Sequence, residues 1–425
     1  MPQEVSLAEL DLAAIIRPGE RVVWGQGAGD PISLVEKLLE QRQRLAPLEI
    51  FCAGVRSRRL VTAEHADTLS FTSFGAMGNL GGLARAGKLR VMPTHLSQVN
   101  GYFAAGTLRA DVVLVHLSAP DGDGAYSYGL ANDFQHAAIQ QARVVIAEVN
   151  DRLPWTYCDR RIDPARIDYL VRVSRPLPQV RPQAVGPIEE RIARHVADFI
   201  SDGATLQIGV GAIPDAVMAL IGDRRELGFH SGLINDRVAE LMARGVITNS
   251  RKPIDTGITT AALLVGTDYL YQFAHKNPAI RLFTYDHTHR GEILSQLGNY
   301  ITINSAVEVD LSGQINAETA SGEYIGGVGG QGDYVRGAQL AGGRSIIALP
   351  ATARDATISR IVPRLADGIV TTPRSDADII VTEFGVAELR GRTIGEGARR
   401  LAAISHPHFR AALEEAAADL ARRGY

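Results

Sequence analysis

The stretch Arg21–Leu45, "RVVWGQGAGDPISLVEKLLEQRQRL", decides the fold. "RVVWGQG" is a short β-rich run that predicts a strand, and "PISLVEKLLEQRQRL" carries apolar residues at helical spacing. A strand passing through glycines into a helix is the first part of a β-α-β unit. The same alternation continues in "LRVMP" (Leu89–Pro93), "DVVLVHLS" (Asp111–Ser118) and "ARVVIAEV" (Ala142–Val149), with "DFQHAAIQQA" (Asp133–Ala142) as a further helix. Near-continuous apolar strands separated by helices imply a parallel sheet covered on both faces.

The pattern breaks at "VSRPLPQVRPQAVGP" (Val173–Pro187), where four prolines in fifteen residues mark a linker. It then restarts with a helix in "IEERIARHVADFIS" (Ile188–Ser201) and strands in "ATLQIGVG" (Ala204–Gly211) and "SIIALP" (Ser345–Pro350). A terminal helix follows in "HFRAALEEAAADLARRG" (His408–Gly424). The expected architecture is α/β in two domains, residues 1–180 and 181–425. Ligands of such domains bind beyond the carboxyl ends of the strands.

Composition narrows the function. With 425 residues and 45% hydrophobic side chains, the chain can bury two cores. A net charge of −3 gives no electrostatic footprint for nucleic acid or acidic membranes. Cys52 and Cys158 are too few for a disulfide framework, which fits a reducing compartment. The N-terminus "MPQEVSLAELDLAAIIRPGE" carries acidic residues unlike a signal peptide, and no apolar run approaches membrane-spanning length. A cytoplasmic location is expected.

Three loops are candidates for holding a ligand. In "LQIGVGAIPDAVMAL" a strand ends at Gly209-Val210-Gly211, and Pro214 follows Ala212 at a helix start. Free amides there favour an anion or a developing oxyanion, although glycines also serve a plain tight turn. In "YIGGVGGQGDYVRGAQLAGG", Gly327, Gly329 and Gly332 match G-x-G-x-x-G, with Asp355 downstream. No convincing strand leads into this loop, and no Walker lysine follows, so the dinucleotide reading ranks last. Close ligand approach along Gly327, Gly329, Gly330, Gln331 and Gly332 remains, with Arg336 available for a phosphate.

The third loop, "LGFHSGLINDRVAELMARGVITN" (Leu227–Asn249), feeds a helix. Adjacent residues in an extended loop point to opposite sides, so His230 and Ser231 do not make a Ser-His pair. Ser231 reads as a helix cap and His230 as a packed loop residue. "YDHTHRGE" offers His287 and His289, which would share a face in a strand. No third ligand stands at a recognisable spacing, so no metal is expected and substrate contact is the better minority reading.

Taken together, these loops resemble the acetyl-CoA hydrolase/transferase family. The resemblance covers most of the chain. It is densest in "DGATLQIGVGAIPDAVMALIGDRRELGFHSG", "INSAVEVDLSGQI", "GGVGGQGDYVRGA", "IIALPATARDATISRIVP" and "VTEFGVAELRGRTIGEGARRLAAISHPHFR". "DVVLVHLSAPDGDGAYSYG" and "AEVNDRLPWT" extend it into the first half. It implies two similar open α/β domains with the active site between them, coenzyme A as the thioester substrate, a short carboxylate as acceptor, and a homodimer. Such enzymes attack acyl-CoA with a glutamate, pass through an acyl-glutamyl anhydride and a glutamyl-CoA thioester, and deliver CoA to the incoming carboxylate. Gly209, Gly211 and Ala212 are expected to hold the thioester oxyanion, and Gly327–Arg336 to line the CoA site.

The chain departs from the pattern where the chemistry sits. The family's His-Thr-Glu is here His230-Ser231-Gly232, so the nucleophile maps onto a glycine. Gln98 takes an acidic position, Gly332 stands where valine is usual, and Cys158 where glycine is usual. Four readings stay open. One is a transferase that recruits another carboxylate, with Asp236, Glu240, Glu308, Glu318 and Glu323 as candidates. The others are hydrolysis or hydrolytic carbon–carbon cleavage of a CoA-bound substrate, an acyl-CoA-binding protein without turnover, and, last, the dinucleotide enzyme.

Overall fold

The computed structural model describes residues 2–55, 60–366 and 368–424. Its first sheet has eight parallel strands in the order Gln3–Glu4, Tyr169–Val173, Val144–Asn150, Val112–Ser118, Arg21–Gly27, Leu48–Val55, Leu69–Ser73 and Leu89–Val91. Every residue of Val112–Ser118 and Val144–Asn150 is buried. Successive side chains enter different cores. Val112, Leu114 and Ile146 pack with Leu34, Val35 and Leu38 of the helix Ile32–Leu45. Val113, Val115 and Val145 pack on the other face with Phe51, Phe103 and Phe134. Period-two alternation into two cores is what a sheet covered on both faces requires.

The chain runs from Arg21–Gly27 out to one edge of this sheet, then returns to Val112–Ser118 beside it. The strand order therefore reverses between these two neighbours, and Gln26 lies at the carboxyl end of the first, where such sheets receive ligands.

The second sheet is ordered Gly228–Phe229, Thr205–Ile208, Tyr300–Asn304, Arg344–Ala348, Ile379–Thr382 and Gly385–Glu388. Only the last strand pairs antiparallel. It too separates two cores, with Ile346 and Ile379 on one face and Ile347 and Ile380 on the other.

The proline-rich segment 174–186 has neither helix nor strand and lies against the second half. Its Val180 amide donates to the Gly266 carbonyl at 2.8 Å, and its Gln183 amide to Asp215 at 3.0 Å. A small parallel sheet joins Tyr157–Cys158 to Ile280–Leu282 and Thr259–Ala261, sewing the two halves together. Among the described residues, no helix is long and apolar enough to cross a membrane.

Two local expectations are corrected. The helix Asp236–Ala243 is capped by Asn235, whose side chain accepts from the Val238 amide at 3.1 Å, and not by Ser231. Asn235 bears the planar acceptor that an N-cap prefers, directly before the first turn, while Ser231 is still in extended chain. His287 lies in the short helix Tyr285–Thr288 with His289 as its C-cap, so the two imidazoles do not share a strand face.

Candidate active site

Between the sheets lies a cavity of about 170 Å³. Gln26, Phe74, Met77 and Leu96 border it from the first half; Gln207, Gly209, Ser231, Gly232, Asn304 and Gln331 are among its borders from the second. Gly232 is fixed by its carbonyl, which accepts from the amides of Ala262 at 3.2 Å and Leu263 at 3.1 Å. Ser231 is held by Oγ donating to the Ile208 carbonyl at 3.1 Å.

Where position 232 lacks a side chain, two polar groups converge. A methyl group on Gly232 would lie 3.1 Å from the Tyr334 hydroxyl oxygen and 3.3 Å from His289 Nε2. The Tyr334 hydroxyl is buried without a hydrogen-bond partner. His289 is also buried, and burial pulls its pKa down to about 3, so the ring is neutral near pH 7. Its Nδ1 lies 2.8 Å from the Thr288 hydroxyl. Gly330 is needed beside it, because a Cβ there would come 2.6 Å from His289 Cδ2.

The remaining polar groups of the cavity are paired. Gln207 and Asn304 exchange amide hydrogen bonds at 3.2 and 3.0 Å. Gln26 donates to the Tyr285 hydroxyl, and Gln331 to Thr372 at 3.1 Å. Among the described residues, no Asp, Glu, Lys or Arg borders the cavity.

His230 points elsewhere. It is fully buried, neither ring nitrogen has a hydrogen-bond partner, and its Nδ1 lies 4.0 Å from Asp255. Burial, with Lys252 nearby, holds it well below the usual histidine range. Asp255 accepts from Thr260 at 3.1 Å and pairs with His287 Nε2 at 2.7 Å. Its burial opposes ionisation, but the His287 hydrogen bond and the surrounding positive groups outweigh this and bring it to about 2. The buried Lys252 ammonium donates to the Phe229 carbonyl at 3.1 Å, the Ile258 carbonyl at 2.7 Å and Thr260 at 3.0 Å. His230, Asp255 and His287 bring donor atoms within 4.8 Å of one another. Asp255 is thus the third potential ligand that spacing along the chain did not disclose, and none of the three borders the cavity.

The oxyanion candidates divide. Gly209 borders the cavity, but its amide donates to the Ile303 carbonyl at 3.3 Å. Gly211 borders a separate groove with Arg181, Asp215 and Asn235. Ala212 begins the helix Ala212–Leu220, whose first amides have no intrahelical acceptor.

The glycine loop is clamped to the first half. Gly327 bridges Gly75, Gly329 bridges His95, and the Leu96 amide donates to the Gly329 carbonyl at 3.1 Å. Gly330 and Gln331 reach the cavity. Gly332 sits in the helix Gln331–Leu340, where a Cβ would come 2.5 Å from His95 Cε1. The loop is led into by the two-residue antiparallel strand Glu323–Tyr324 and not by a strand of the main sheet, which removes the dinucleotide reading. Arg336 pairs with Asp376 at 2.8 Å.

The candidate replacement carboxylates are occupied or remote from the cavity. Glu318 accepts from Tyr324 at 2.5 Å and Thr371 at 2.9 Å, Glu308 accepts from Asn316 at 3.1 Å, and Glu240 pairs with Arg237 at 2.8 Å. Asp236 accepts from the Thr267 amide at 2.9 Å, and Glu323 is exposed. Gln98 accepts from Tyr102 at 3.0 Å, and the Cys158 thiol lies 3.8 Å from Ser127.

Residues 5–178 match the acetyl-CoA hydrolase/transferase N-terminal domain, and residues 266–417 match the C-terminal domain of the same family. The chain belongs to the acetyl-CoA hydrolase/transferase family. It is 38% identical to a 4-hydroxybutyrate coenzyme A transferase of Clostridium kluyveri, over 92% of each chain. It is 32% identical to a succinyl-CoA:cyclohexane-1-carboxylate CoA transferase of Geobacter metallireducens, over 97% of this chain and 95% of that one. Its structure superposes on RipA from Yersinia pestis with a TM-score of 0.92 and 31% identity, over 99% and 98% of the two chains. This family member is an enzyme acting on acyl-CoA, and its fold is that of CoA-transferases.

Sequence reasoning found Gly232 but missed Tyr334, Gln26, Gln207 and Asn304, which no motif connects. His289 carried a faint signal as a possible substrate contact.

Proposed function

We propose that the enzyme hydrolyses the thioester of a CoA-bound substrate, with water taking the place of the side chain that position 232 lacks. The observation that carries this reading is the convergence of Tyr334 Oη and His289 Nε2 on Gly232, in a cavity bordered by no carboxylate among the described residues. A water held there would attack the thioester carbonyl and pass a proton to His289 Nε2. The tetrahedral oxyanion then collapses, the carbon–sulfur bond breaks, and the departing CoA thiolate takes that proton.

The tautomer suits this role. The Thr288 hydroxyl lies 3.2 Å from the Thr284 carbonyl. With its single proton given there, it accepts from His289 Nδ1–H and leaves the Nε2 lone pair toward Gly232. The buried ring is a weak base, so it holds the proton only while the oxyanion's negative charge is close. Gly211 and Ala212 keep their proposed oxyanion role through the free amides at that helix start, with Gly209, whose own amide is given to Ile303, bordering the cavity beside them. The loop from Gly327 to Arg336 keeps its proposed CoA contact. Two domains meeting near residue 180, assembled as a homodimer, complete the reading.

The test is mass spectrometry of the protein with a panel of acyl-CoAs in ¹⁸O-water, with and without acetate. Free CoA and labelled acid, independent of acetate, support hydrolysis. Acetyl-CoA formed only with acetate overturns it in favour of transfer. A product that keeps CoA while gaining label overturns it in favour of hydration or carbon–carbon cleavage.

A further inference from the structure

The cavity to which the proposed reaction assigns the acyl group has a distinctive chemistry. Its size is about 170 Å³. An apolar cavity of about 150 Å³ takes up benzene, so the space admits a group of roughly one six-membered ring. Its apolar surface comes from both halves of the chain: Phe74, Met77 and Leu96 from one, Leu233 and Leu263 from the other.

Each of its amides is already engaged through one N–H. Gln207 and Asn304 satisfy each other, Gln26 is engaged with Tyr285, and Gln331 with Thr372. Tyr334 and His289 face the missing side chain of Gly232, at the reacting end. No cation borders the cavity among the described residues, and Arg336 is paired with Asp376. A second carboxylate on the acyl group would therefore lose water against walls that offer it no counter-charge, which is unfavourable.

We propose that the enzyme selects an uncharged hydrocarbon acyl group up to about the size of a cyclohexane ring, and rejects dicarboxylic acyl groups such as succinyl. The proposal rests on the cavity being the acyl site of the reading above, but not on hydrolysis. It would hold equally for transfer of such an acyl group.

The experiment uses CoA thioethers, which bind without reacting, so that the ranking is independent of turnover. Isothermal titration calorimetry compares S-(cyclohexylmethyl)-CoA, S-ethyl-CoA and S-(3-carboxypropyl)-CoA on the full-length protein. The expected result is S-(cyclohexylmethyl)-CoA binding at least about tenfold tighter than S-ethyl-CoA and about a hundredfold tighter than the carboxylate. Met77→Trp, which adds bulk at a lining position of the cavity, should abolish the advantage of cyclohexylmethyl over ethyl. Comparable or tighter binding of the carboxypropyl thioether overturns the proposal, as does a ring advantage unchanged in a folded Met77→Trp protein. If the expected ranking appears while the ¹⁸O experiment shows transfer, the proposal stands and the hydrolytic reading falls. If no CoA thioether binds, both fall.

Discussion

His289 stands against the position from which a catalytic side chain is missing: a methyl group on Gly232 would lie 3.3 Å from its Nε2. This relationship predicts the outcome of Gly232→Glu. The new Cβ asks Tyr334 and His289 to yield by a few tenths of an ångström, an overpacking cost of about 1–3 kcal/mol. The variant should fold with a lowered melting temperature. Its carboxylate would enter the cavity beside a neutral imidazole and a hydroxyl able to donate to it. Acetyl-CoA should then form from acyl-CoA and acetate well above the parent rate, read by mass spectrometry. A folded variant that binds CoA but gains no transfer would show that the site has diverged beyond this one residue.

Much of the fold is legible along the chain because periodicity records burial directly. Val112–Ser118 reads as a near-continuous apolar strand because each face of its sheet has its own core. Gly232 was legible for another reason, since it breaks a pattern carried by its neighbours. The residues around it were not. Tyr334 lies in a helix of the second half, His289 caps a single helical turn, and Gln26 ends a strand of the first half. Only tertiary packing brings them together. Asp255 escaped notice similarly, for it meets His287 across a separation of 32 residues.

Asp133 gives a prediction in pH. It is fully buried, one carboxylate oxygen accepts from the Gln135 amide at 3.0 Å, and the other has no partner. Burial raises its pKa to about 6 against backbone hydrogen bonds that oppose the rise. Between the ordinary value of 3.8 and about 6, the folded state holds a proton that the unfolded chain releases. Stability contributed by this group therefore falls as pH rises through that window, and the full cost persists above it. Asp133→Asn removes the titration. Relative to the parent, it should gain stability progressively from pH 4 to pH 6, approaching about 3 kcal/mol at 1.36 kcal/mol per unit. Urea denaturation at several pH values reads the difference, and parallel curves would refute the assignment.

Lys252 predicts a trend at higher pH. Burial, opposed by Asp255, lowers its pKa to about 7. Between about 7 and the ordinary 10.5, the unfolded chain binds the proton more readily than the fold does, so stability from this group rises with pH across that interval. Lys252→Met should flatten this part of the profile. An unchanged slope between pH 7 and 10 in the variant would refute the role given to Lys252.

Gly332 and His95 make a compensating pair. Valine is the residue that the family resemblance leads one to expect at 332, yet a Cβ there would meet His95 Cε1 at 2.5 Å, closer than van der Waals contact permits. The imidazole occupies the volume of the missing side chain, and its Nδ1 has no hydrogen-bond partner to hold it. It precedes the helix Leu96–Ala104 without a side-chain capping bond. His95→Ala alone should therefore cost little, within about 1 kcal/mol. Gly332→Val alone should cost about 1–3 kcal/mol, because the ring must leave its place between the glycine loop and the first half. The double variant should recover at least half of that loss, since alanine frees the space that valine needs. A coupling energy of at least about 0.5 kcal/mol from the four melting curves would establish the pairing. Additive losses would mean that the close approach is relieved by backbone movement and that the two substitutions are independent.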